Sequence, residues 1–169
     1  MSNIVLFGSQ WGDEGKGKII DVLTQDADWV VRYQGGNNAG HTVEIENEKF
    51  VLHLTPSGIL RKSCKCIIGN GLVVDLIGLC EELEELENRN IPLKNRLYIS
   101  DRAHIVFPYH KALDGAKENL RSENKIGTTK RGIGPAYCDK ADRTGLRMCD
   151  ILENDFLEET QKKLVAKNN

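Results

Sequence analysis

A glycine-rich loop near the amino terminus is the feature that most constrains the fold of this chain. Residues 4–7 form a short apolar run, which is typical of a strand buried on both faces of a parallel sheet. Residues 12–18 follow with the spacing GxxxxGK, and Ile19, Ile20 and Leu23 then lie at helical spacing. Small residues at a helix start let backbone N–H groups surround phosphate oxygens. The order strand, glycine loop, helix therefore predicts a phosphate-binding loop, with a tight turn that binds no ligand as the alternative.

Later segments indicate an α/β fold around this loop. Residues 29–33 form a second apolar run that ends in a polar glycine loop, residues 34–42, and residues 67–68 form another short run. Alternating apolar residues on either side of Asn47 predict an antiparallel hairpin. Leucines at a four-three spacing over residues 72–86 predict an amphipathic helix whose acidic face lies in solvent. We predict a mostly parallel central sheet with flanking helices, a P-loop-like glycine loop after the first strand, and one antiparallel hairpin. Ligands lie outside the carboxyl ends of strands in such sheets, so the two glycine loops are expected to converge.

Residues 1–169 are predicted to form a single nucleotide-binding α/β domain. A length of 169 residues, 40% of them apolar, is enough for one core. No internal repeat or proline-rich linker divides the sequence. A helical pattern over residues 155–167 runs to the end without a glycine or proline stop, so we expect the domain to be truncated there.

Composition excludes several classes of protein. The net charge of -2 and the pI near 6.1 argue against a nucleic acid polymer as partner. The amino terminus has neither a basic flank nor a long apolar run, so we expect a cytoplasmic protein without a signal peptide or membrane span. Five cysteines without a CxxC pair argue against a disulfide framework or a zinc site and favour reduced thiols; they are Cys64, Cys66, Cys80, Cys138 and Cys149.

The first glycine loop lacks the residue that usually binds magnesium in a P-loop. Ile19 stands where a serine or threonine normally follows the lysine, and its side chain cannot coordinate a metal. Asp13 is the nearest suitable oxygen ligand, because a carboxylate that faces polyphosphate is tolerable mainly with magnesium or a proton between them. A solvent-exposed carboxylate is the alternative interpretation, and Glu14 fits that alternative.

The second glycine loop, residues 34–42, combines backbone donors with chemically useful side chains. Asn37 and Asn38 supply two amides, and the imidazole of His41 can protonate a departing phosphate oxygen. The other histidines are predicted to be structural; they are His53, His104 and His110.

A third glycine-containing stretch, residues 124–137, suits another phosphate or nucleotide. Thr128, Thr129, Lys130 and Arg131 stand there among glycines, although cations in loops are often only solvated. A cationic patch follows that could serve the same ligand or an interface; its members are Lys140, Arg143 and Arg147.

Four strings of the sequence resemble the adenylosuccinate synthetase family. They are GSQWGDEGKGK at residues 8–18, YQGGNNAGHT at 33–42, HLTPSGIL at 53–60 and GTTKRGIGPAY at 127–137. The strings are long, ordered and free of gaps in their spacing, and together they span nearly the whole chain. A generic P-loop protein is therefore a poor explanation of the pattern.

The resemblance implies GTP-dependent ligation of IMP and L-aspartate. Members of this family make adenylosuccinate, GDP and phosphate in the first step from IMP toward AMP, through a 6-phosphoryl-IMP intermediate, with Mg²⁺ as cofactor. The substrates would be GTP, IMP and L-aspartate, and the full-length enzyme would be a homodimer.

The resemblance also implies roles for individual residues. Asp13 would be the catalytic base toward N1 of IMP, and His41 the acid toward the departing GDP. Separately from the resemblance, we expect Lys16 and magnesium to offset the charge that develops on the 6-oxygen of IMP. Asp13 and the carbonyl of Gly40 would hold the metal. The implied GTP-binding residues are Gly12, Asp13, Glu14, Gly15, Lys16, Gly17, Lys18, Gly40, His41 and Thr42. The implied IMP-binding residues are Asp13, Glu14, Gly15, Lys16, Asn38, Ala39, Gly40, His41, Thr129 and Arg143, with Arg143 reaching the site of the partner subunit. Lys130 stands where many bacterial members have glycine.

Full-length members of the family are much longer, and their guanine-recognition and aspartate-binding segments lie beyond residue 169. We therefore expect these residues alone to be inactive or nearly so. One alternative is a GTPase-like switch, which Ile19 and the absence of an aspartate after the Asn124–Lys125 pair both oppose. The other alternative is a non-catalytic assembly fragment.

Overall fold

The computed structural model describes most of the chain. The described residues are 3–9, 16–38, 40–45, 48–120, 127–153, 155, 157–158, 160–162 and 165. The helices are α1 (Lys16–Leu23), α2 (Leu76–Asn88), α3 (Pro108–Leu120) and α4 (Ile133–Ala141). The strands are β1 (Trp29–Arg32), β2 (His41–Ile45), β3 (Glu48–Leu52), β4 (Lys65–Ile68), β5 (Val73–Asp75), β6 (Leu97–Ile99) and β7 (His104–Val106). Short 3₁₀ turns lie at Thr24–Asp26, Ser57–Leu60 and Met148–Leu152.

Parallel pairing dominates the described strands. β1, β4 and β6 form a three-stranded parallel sheet in the order β1-β4-β6, and β5 pairs with β7 in parallel. β2 and β3 form an antiparallel hairpin in which His41 lies opposite Leu52. The predicted α/β class, with parallel strands, flanking helices and one hairpin, is confirmed.

The predicted first strand, residues 4–7, is wrong. The structure assigns no strand there, and Ile4, Val5 and Phe7 are 66%, 76% and 69% exposed. An apolar run becomes a strand only when a neighbour supplies a hydrogen-bonded ladder. This segment accepts a hydrogen bond at the Leu6 carbonyl from the Tyr33 hydroxyl at 2.9 Å. Among the described residues the first strand is β1, which follows the first glycine loop in the sequence.

The core lies between the parallel strands, the hairpin and α2. Its largest cluster joins Phe50 and Leu52 of the hairpin with Cys66 of β4 and Leu86 of α2. A neighbouring cluster joins Leu54, Ile68, Leu72, Val74, Leu79 and Ala103. The leucine stripe thus packs against strands, as its spacing predicts.

Two details of the leucine segment differ from the prediction. The helix begins at Leu76, because Val73–Asp75 pairs with β7 instead of continuing the helical pattern. The acidic face is also not entirely in solvent, since Glu82 is buried. Its two carboxylate oxygens accept hydrogen bonds from the backbone N–H groups of residues 53–55 at 2.9 to 3.1 Å. Those partners lie almost thirty residues earlier in the chain, beyond the reach of a periodicity argument.

None of the described helices is long and apolar enough to cross a membrane.

The five cysteines are free thiols that differ in exposure, and Cys149 is half-buried. Cys64 and Cys66 are fully buried, whereas Cys80 and Cys138 are exposed. Burial raises the pKa of the Cys66 thiol to about 12, with the neighbouring Cys64 as a further cause. Because the thiolate is the reactive form, both burial and the raised pKa protect Cys66.

We expect Ellman's reagent at pH 8 to modify Cys80 and Cys138 rapidly in the folded chain. Cys64 and Cys66 should react only after denaturant is added. The measurement is the absorbance of released thionitrobenzoate, with peptide mass spectrometry to identify the labelled residues. Rapid labelling of Cys66 without denaturant would contradict the burial described above.

Candidate functional site

The structure describes only part of the predicted phosphate loop. Gly12, Asp13, Glu14 and Gly15 lie outside the described residues, as does Ala39 of the second loop. Lys16, Gly17 and Lys18 form the first turn of α1. The predicted helix after the glycine loop is therefore confirmed, and its amino-terminal end carries the lysines of the motif.

The first and second glycine loops meet at His41. Its Nε2 lies 3.0 and 3.1 Å from the two carboxylate oxygens of Asp21 in α1. The ring lies directly against Gly17, where a Cβ atom would come within 2.2 Å of the His41 Nδ1. The imidazole thus sits at the start of α1, in the region where the motif predicts a phosphate. Glycine at position 17 is what allows this approach.

The second loop is held by side chains from two separate elements, α4 and β1. The Tyr137 hydroxyl of α4 accepts a hydrogen bond from the Gly35 N–H at 2.8 Å and lies 2.8 Å from the Gly71 carbonyl oxygen. Burial raises the pKa of this hydroxyl, so it keeps its proton and donates to a carbonyl. Arg32 of β1 donates to the Gly36 carbonyl at 2.8 Å and also to the His53 carbonyl. These bonds fix the path of the backbone ahead of His41.

The two adjacent amides of the second loop have different environments. Asn37 is buried, and its Nδ2 donates to the Asp75 carboxylate at 2.8 Å. The same Asp75 oxygen lies 2.6 Å from the Lys111 Nζ of α3. Asn38 is exposed, so its amide is the one that faces outward. Asn37 therefore anchors the loop, and Asn38 is available to a ligand.

The described part of the third glycine stretch, residues 127–132 and called the third loop below, lies against α3. Glu118 accepts a hydrogen bond from the Gly127 N–H at 2.7 Å, and Asp114 accepts one from the Gly132 N–H at 3.0 Å. Between these anchors the side chains of Thr129, Lys130 and Arg131 are exposed. The third loop thus presents a hydroxyl and two cations outward while both of its ends are fixed.

The third loop and the second loop come together at the start of α4. Gly36 lies so close to Ile133 that a Cβ atom on it would come within 2.5 Å of the Ile133 Cδ1. The described end of the first loop therefore contacts the second loop at His41, and the second loop contacts the start of α4, which follows the third loop. Convergence of the complete first and second loops on one site stays a prediction, because residues 12–15 lie outside the described residues.

Arg143 does not join this group within one chain. It follows the carboxyl end of α4, has a left-handed backbone with φ of 61° and is exposed. Nine helical residues, about 14 Å of helix, separate it from the third loop at the other end. Lys140, also of the predicted cationic patch, donates to the Asn70 carbonyl.

A hydrogen-bond network around His110 supports α4. The sequence analysis predicted only a structural role for this histidine. His110 is fully buried, accepts a hydrogen bond from the Phe107 N–H at 2.8 Å through Nδ1 and lies 2.9 Å from Asp139 through Nε2. The Tyr109 hydroxyl donates to the same carboxylate at 2.5 Å. Burial, together with this acceptor, raises the pKa of Tyr109 far above its usual range. The network pins α3 to α4 and agrees with the structural role predicted for His110.

Sequence reasoning missed the buried carboxylates that hold the loops. Asp75, Glu82 and Asp114 each accept backbone or amide N–H groups from distant segments. Glu118 has the same role at Gly127. The available signal in the sequence was the four-residue spacing of Asp114 and Glu118, which places both carboxylates on one face of α3. That spacing does not identify the segment that they contact.

Comparison with known proteins identifies a single family. The sequence profile of adenylosuccinate synthetase matches residues 5–169. The adenylosuccinate synthetase of Carboxydothermus hydrogenoformans is 59% identical over 170 aligned residues, which cover all of this chain and 40% of that protein. The enzyme of Acetivibrio thermocellus is 55% identical over 169 residues, with 99% and 40% covered. The chain thus spans about 40% of the length of these curated relatives.

Solved structures give the same result. The fully ligated adenylosuccinate synthetase of Plasmodium falciparum is 42% identical, with a TM-score of 0.82 over 94% of this chain and 37% of that chain. The succinoaminodeoxyadenylate synthetase of cyanophage S-2L, bound to dGMP and to dATP as an energy donor, is 27% identical. Its TM-score is 0.60 over 79% of this chain and 36% of that chain.

Proposed function

This chain belongs to the adenylosuccinate synthetase family, and on that premise we propose that it is the amino-terminal part of a ligase that joins IMP to L-aspartate. The reaction consumes GTP and yields adenylosuccinate, GDP and phosphate. The observation that carries the proposal is the meeting of His41 with Gly17 at the start of α1. It supports the proposal because an imidazole beside a phosphate-binding motif could give a proton to a departing phosphate oxygen.

The GTP phosphates are proposed to lie along the start of α1. Backbone N–H groups at a helix amino terminus and the lysines there favour an anion. The residues proposed to contact GTP are Gly12, Asp13, Glu14, Gly15, Lys16, Gly17, Lys18, Gly40, His41 and Thr42. This set contains Gly17, which lies against the His41 ring.

IMP is proposed to lie between the second and third loops. Asn38 and Thr129 are exposed and lie near buried anchors, Asn37 with Asp75 in one loop and Gly132 with Asp114 in the other. The residues proposed to contact IMP are Asp13, Glu14, Gly15, Lys16, Asn38, Ala39, Gly40, His41 and Thr129. Arg143 would complete the site from the partner subunit of a homodimer, since α4 holds it away from the third loop of its own chain.

The proposed chemistry divides the reaction into two steps. Asp13 removes the proton from N1 of IMP, and the 6-oxygen attacks the γ-phosphorus of GTP as the bond to GDP breaks. His41 gives a proton to the departing GDP, with Asp21 holding the ring through Nε2. The amino group of aspartate then displaces phosphate from C6, which is favourable because phosphorylation turns a poor leaving group into a good one.

Magnesium suits the residues proposed for it. Mg²⁺ prefers hard oxygen ligands, and the carboxylate of Asp13 and the carbonyl of Gly40 are both of that kind. Ile19, which replaces the usual hydroxyl ligand, is 49% exposed and offers only hydrocarbon. When bound, the ion would neutralise phosphate charge. Lys16 would then offset the charge that develops on the 6-oxygen of IMP.

Like other enzymes acting on free nucleotides, the protein is proposed to be cytoplasmic.

The test is the activity of a complete enzyme in which this chain replaces the matching amino-terminal residues of the Carboxydothermus hydrogenoformans relative. We expect adenylosuccinate to form only when IMP, GTP, L-aspartate and Mg²⁺ are all present, and to be detected by ultraviolet absorbance and mass spectrometry. GTP hydrolysis that is independent of IMP and aspartate, without adenylosuccinate, would instead indicate a GTPase-like switch. The 169-residue chain assayed alone should show no turnover.

A further inference from the structure

The buried face of α3 carries titratable side chains, whereas two of its leucines are exposed. His110, Asp114 and Glu118 are 1%, 9% and 4% exposed, but Leu113 and Leu120 are 39% and 84% exposed. A helix that only fills a core shows the opposite arrangement. Burying a carboxylate is unfavourable unless hydrogen bonds compensate for the lost water. The partners of Asp114 and Glu118 therefore indicate what this face of α3 does.

Those partners are the two ends of the third loop. Asp114 Oδ2 lies 3.0 Å from the Gly132 nitrogen, and Glu118 Oε1 lies 2.7 Å from the Gly127 nitrogen. The two carboxylates are four residues apart, so they project from α3 about one helical turn, roughly 5–6 Å, apart. The two carboxylates therefore bind the third loop at two points, and the helix fixes the distance between them.

The backbone of the third loop needs such anchors. Gly127, Lys130 and Gly132 have φ values of 78°, 54° and 76°, all in the left-handed region. That conformation is unfavourable for lysine and persists only where surrounding contacts impose it. Gly132 also lies flat on α3, since a Cβ atom there would be 2.7 Å from the backbone of His110 and of Lys111. Fixing both ends therefore decides where the exposed Thr129 side chain points.

The same helix also reaches the second loop. Lys111, one turn before Asp114, lies 2.6 Å from Asp75, which in turn accepts the Asn37 amide at 2.8 Å. Asn37 precedes Asn38, which is proposed to contact IMP. One face of α3 thus supports both loops that carry side chains proposed to bind IMP, Asn38 in the second loop and Thr129 in the third loop.

We propose that Asp114 and Glu118 are positioning residues for IMP, which they serve by fixing the two ends of the loop that presents Thr129. This inference rests on the proposed function. Loss of either carboxylate frees one end of the third loop and displaces Thr129. The start of α1 is held by separate contacts, between His41 and Asp21, so GTP binding should be spared.

The experiment uses the complete enzyme described above, with Asp114→Ala, Asp114→Asn and Glu118→Ala variants and Glu84→Ala as control. Glu84 is an exposed carboxylate on α2. A charge-assisted hydrogen bond to a buried N–H group is strong, so we expect Asp114→Ala and Glu118→Ala to raise the KM for IMP about ten- to a hundred-fold. The KM for GTP should change less than about twofold, because its loop has separate anchors. Asp114→Asn retains an acceptor oxygen and should recover most of the IMP affinity.

The outcomes separate this inference from the proposed function. Circular dichroism confirms folding. If the alanine variants do not fold, Asp114→Asn carries the test, because loss of the charge alone should still raise the KM for IMP a few-fold and leave the KM for GTP unchanged. An equal rise in the KM values for IMP and GTP would mean a purely structural role and overturn the inference. Alanine variants whose KM for IMP matches that of the Glu84→Ala control would also overturn the inference. A folded parent enzyme that makes no adenylosuccinate and does not bind IMP would overturn both proposals, whereas an active parent with insensitive variants would overturn only this one.

Discussion

Replacing Asp13 with asparagine is expected to reduce turnover of the complete enzyme about a thousand-fold, since general-base catalysis is typically worth 10²- to 10⁴-fold. Asparagine has nearly the same shape but cannot accept the N1 proton of IMP. A thousand-fold loss corresponds to about 4 kcal/mol of transition-state stabilisation. IMP should still bind, because the second and third loops keep their anchors at Asp75, Asp114 and Glu118.

Asp13 lies outside the described residues, so this experiment is the direct test of its role. The measurements are calorimetric titration of IMP in the presence of GTP and Mg²⁺, and steady-state turnover on the same samples. Asp26→Asn is the matched control, because Asp26 is an exposed carboxylate just after α1. Retained IMP binding with lost turnover would support Asp13 as base and metal ligand. Near-normal turnover would remove Asp13 from the mechanism and leave only a phosphate-binding loop.

Replacing Gly71 with alanine is expected to lower the free energy of unfolding by about 3 kcal/mol, at the upper end of overpacking effects. A Cβ atom at this position would lie 1.9 Å from the carbonyl oxygen of Tyr33 and 3.1 Å from its carbon. Both are backbone atoms at the entrance of the second loop, so no side-chain rotation relieves the clash. The Gly71 carbonyl also lies beside the Tyr137 hydroxyl that holds the second loop.

Gly115→Ala is the matched control for Gly71→Ala. Gly115 lies within α3, and a Cβ atom there would meet nothing within 4 Å. Because alanine favours a helix interior over glycine, we expect this variant to be stabilised by up to about 1 kcal/mol. Urea denaturation of the chain, followed by circular dichroism, measures both changes. Equal midpoints for the two variants would show that the backbone approach at Gly71 is not as close as described.

The elements that the sequence predicts correctly are those whose signal is local. The hairpin around Asn47 follows from alternation within a dozen residues, and the α2 leucine stripe from a repeat of three and four. The apolar runs at residues 29–33 and 67–68 fall in β1 and β4, which pair in parallel. The family, too, could be identified from the sequence, because four ordered strings carry it.

Other features were decided only by the tertiary structure, because they depend on contacts with residues that are distant in the chain. Residues 4–7 have the apolar pattern of a strand, but no described neighbour supplies the ladder that a strand requires. Glu82 and Asp114 look like solvated helix residues in the sequence, yet each holds the backbone of a segment 18 to 29 residues away. Burial of a carboxylate is set by what packs over it, and residue type and spacing do not specify that. The sequence alone therefore determined the loops and the chemistry they can carry, and the tertiary structure determined which side chains hold those loops in place.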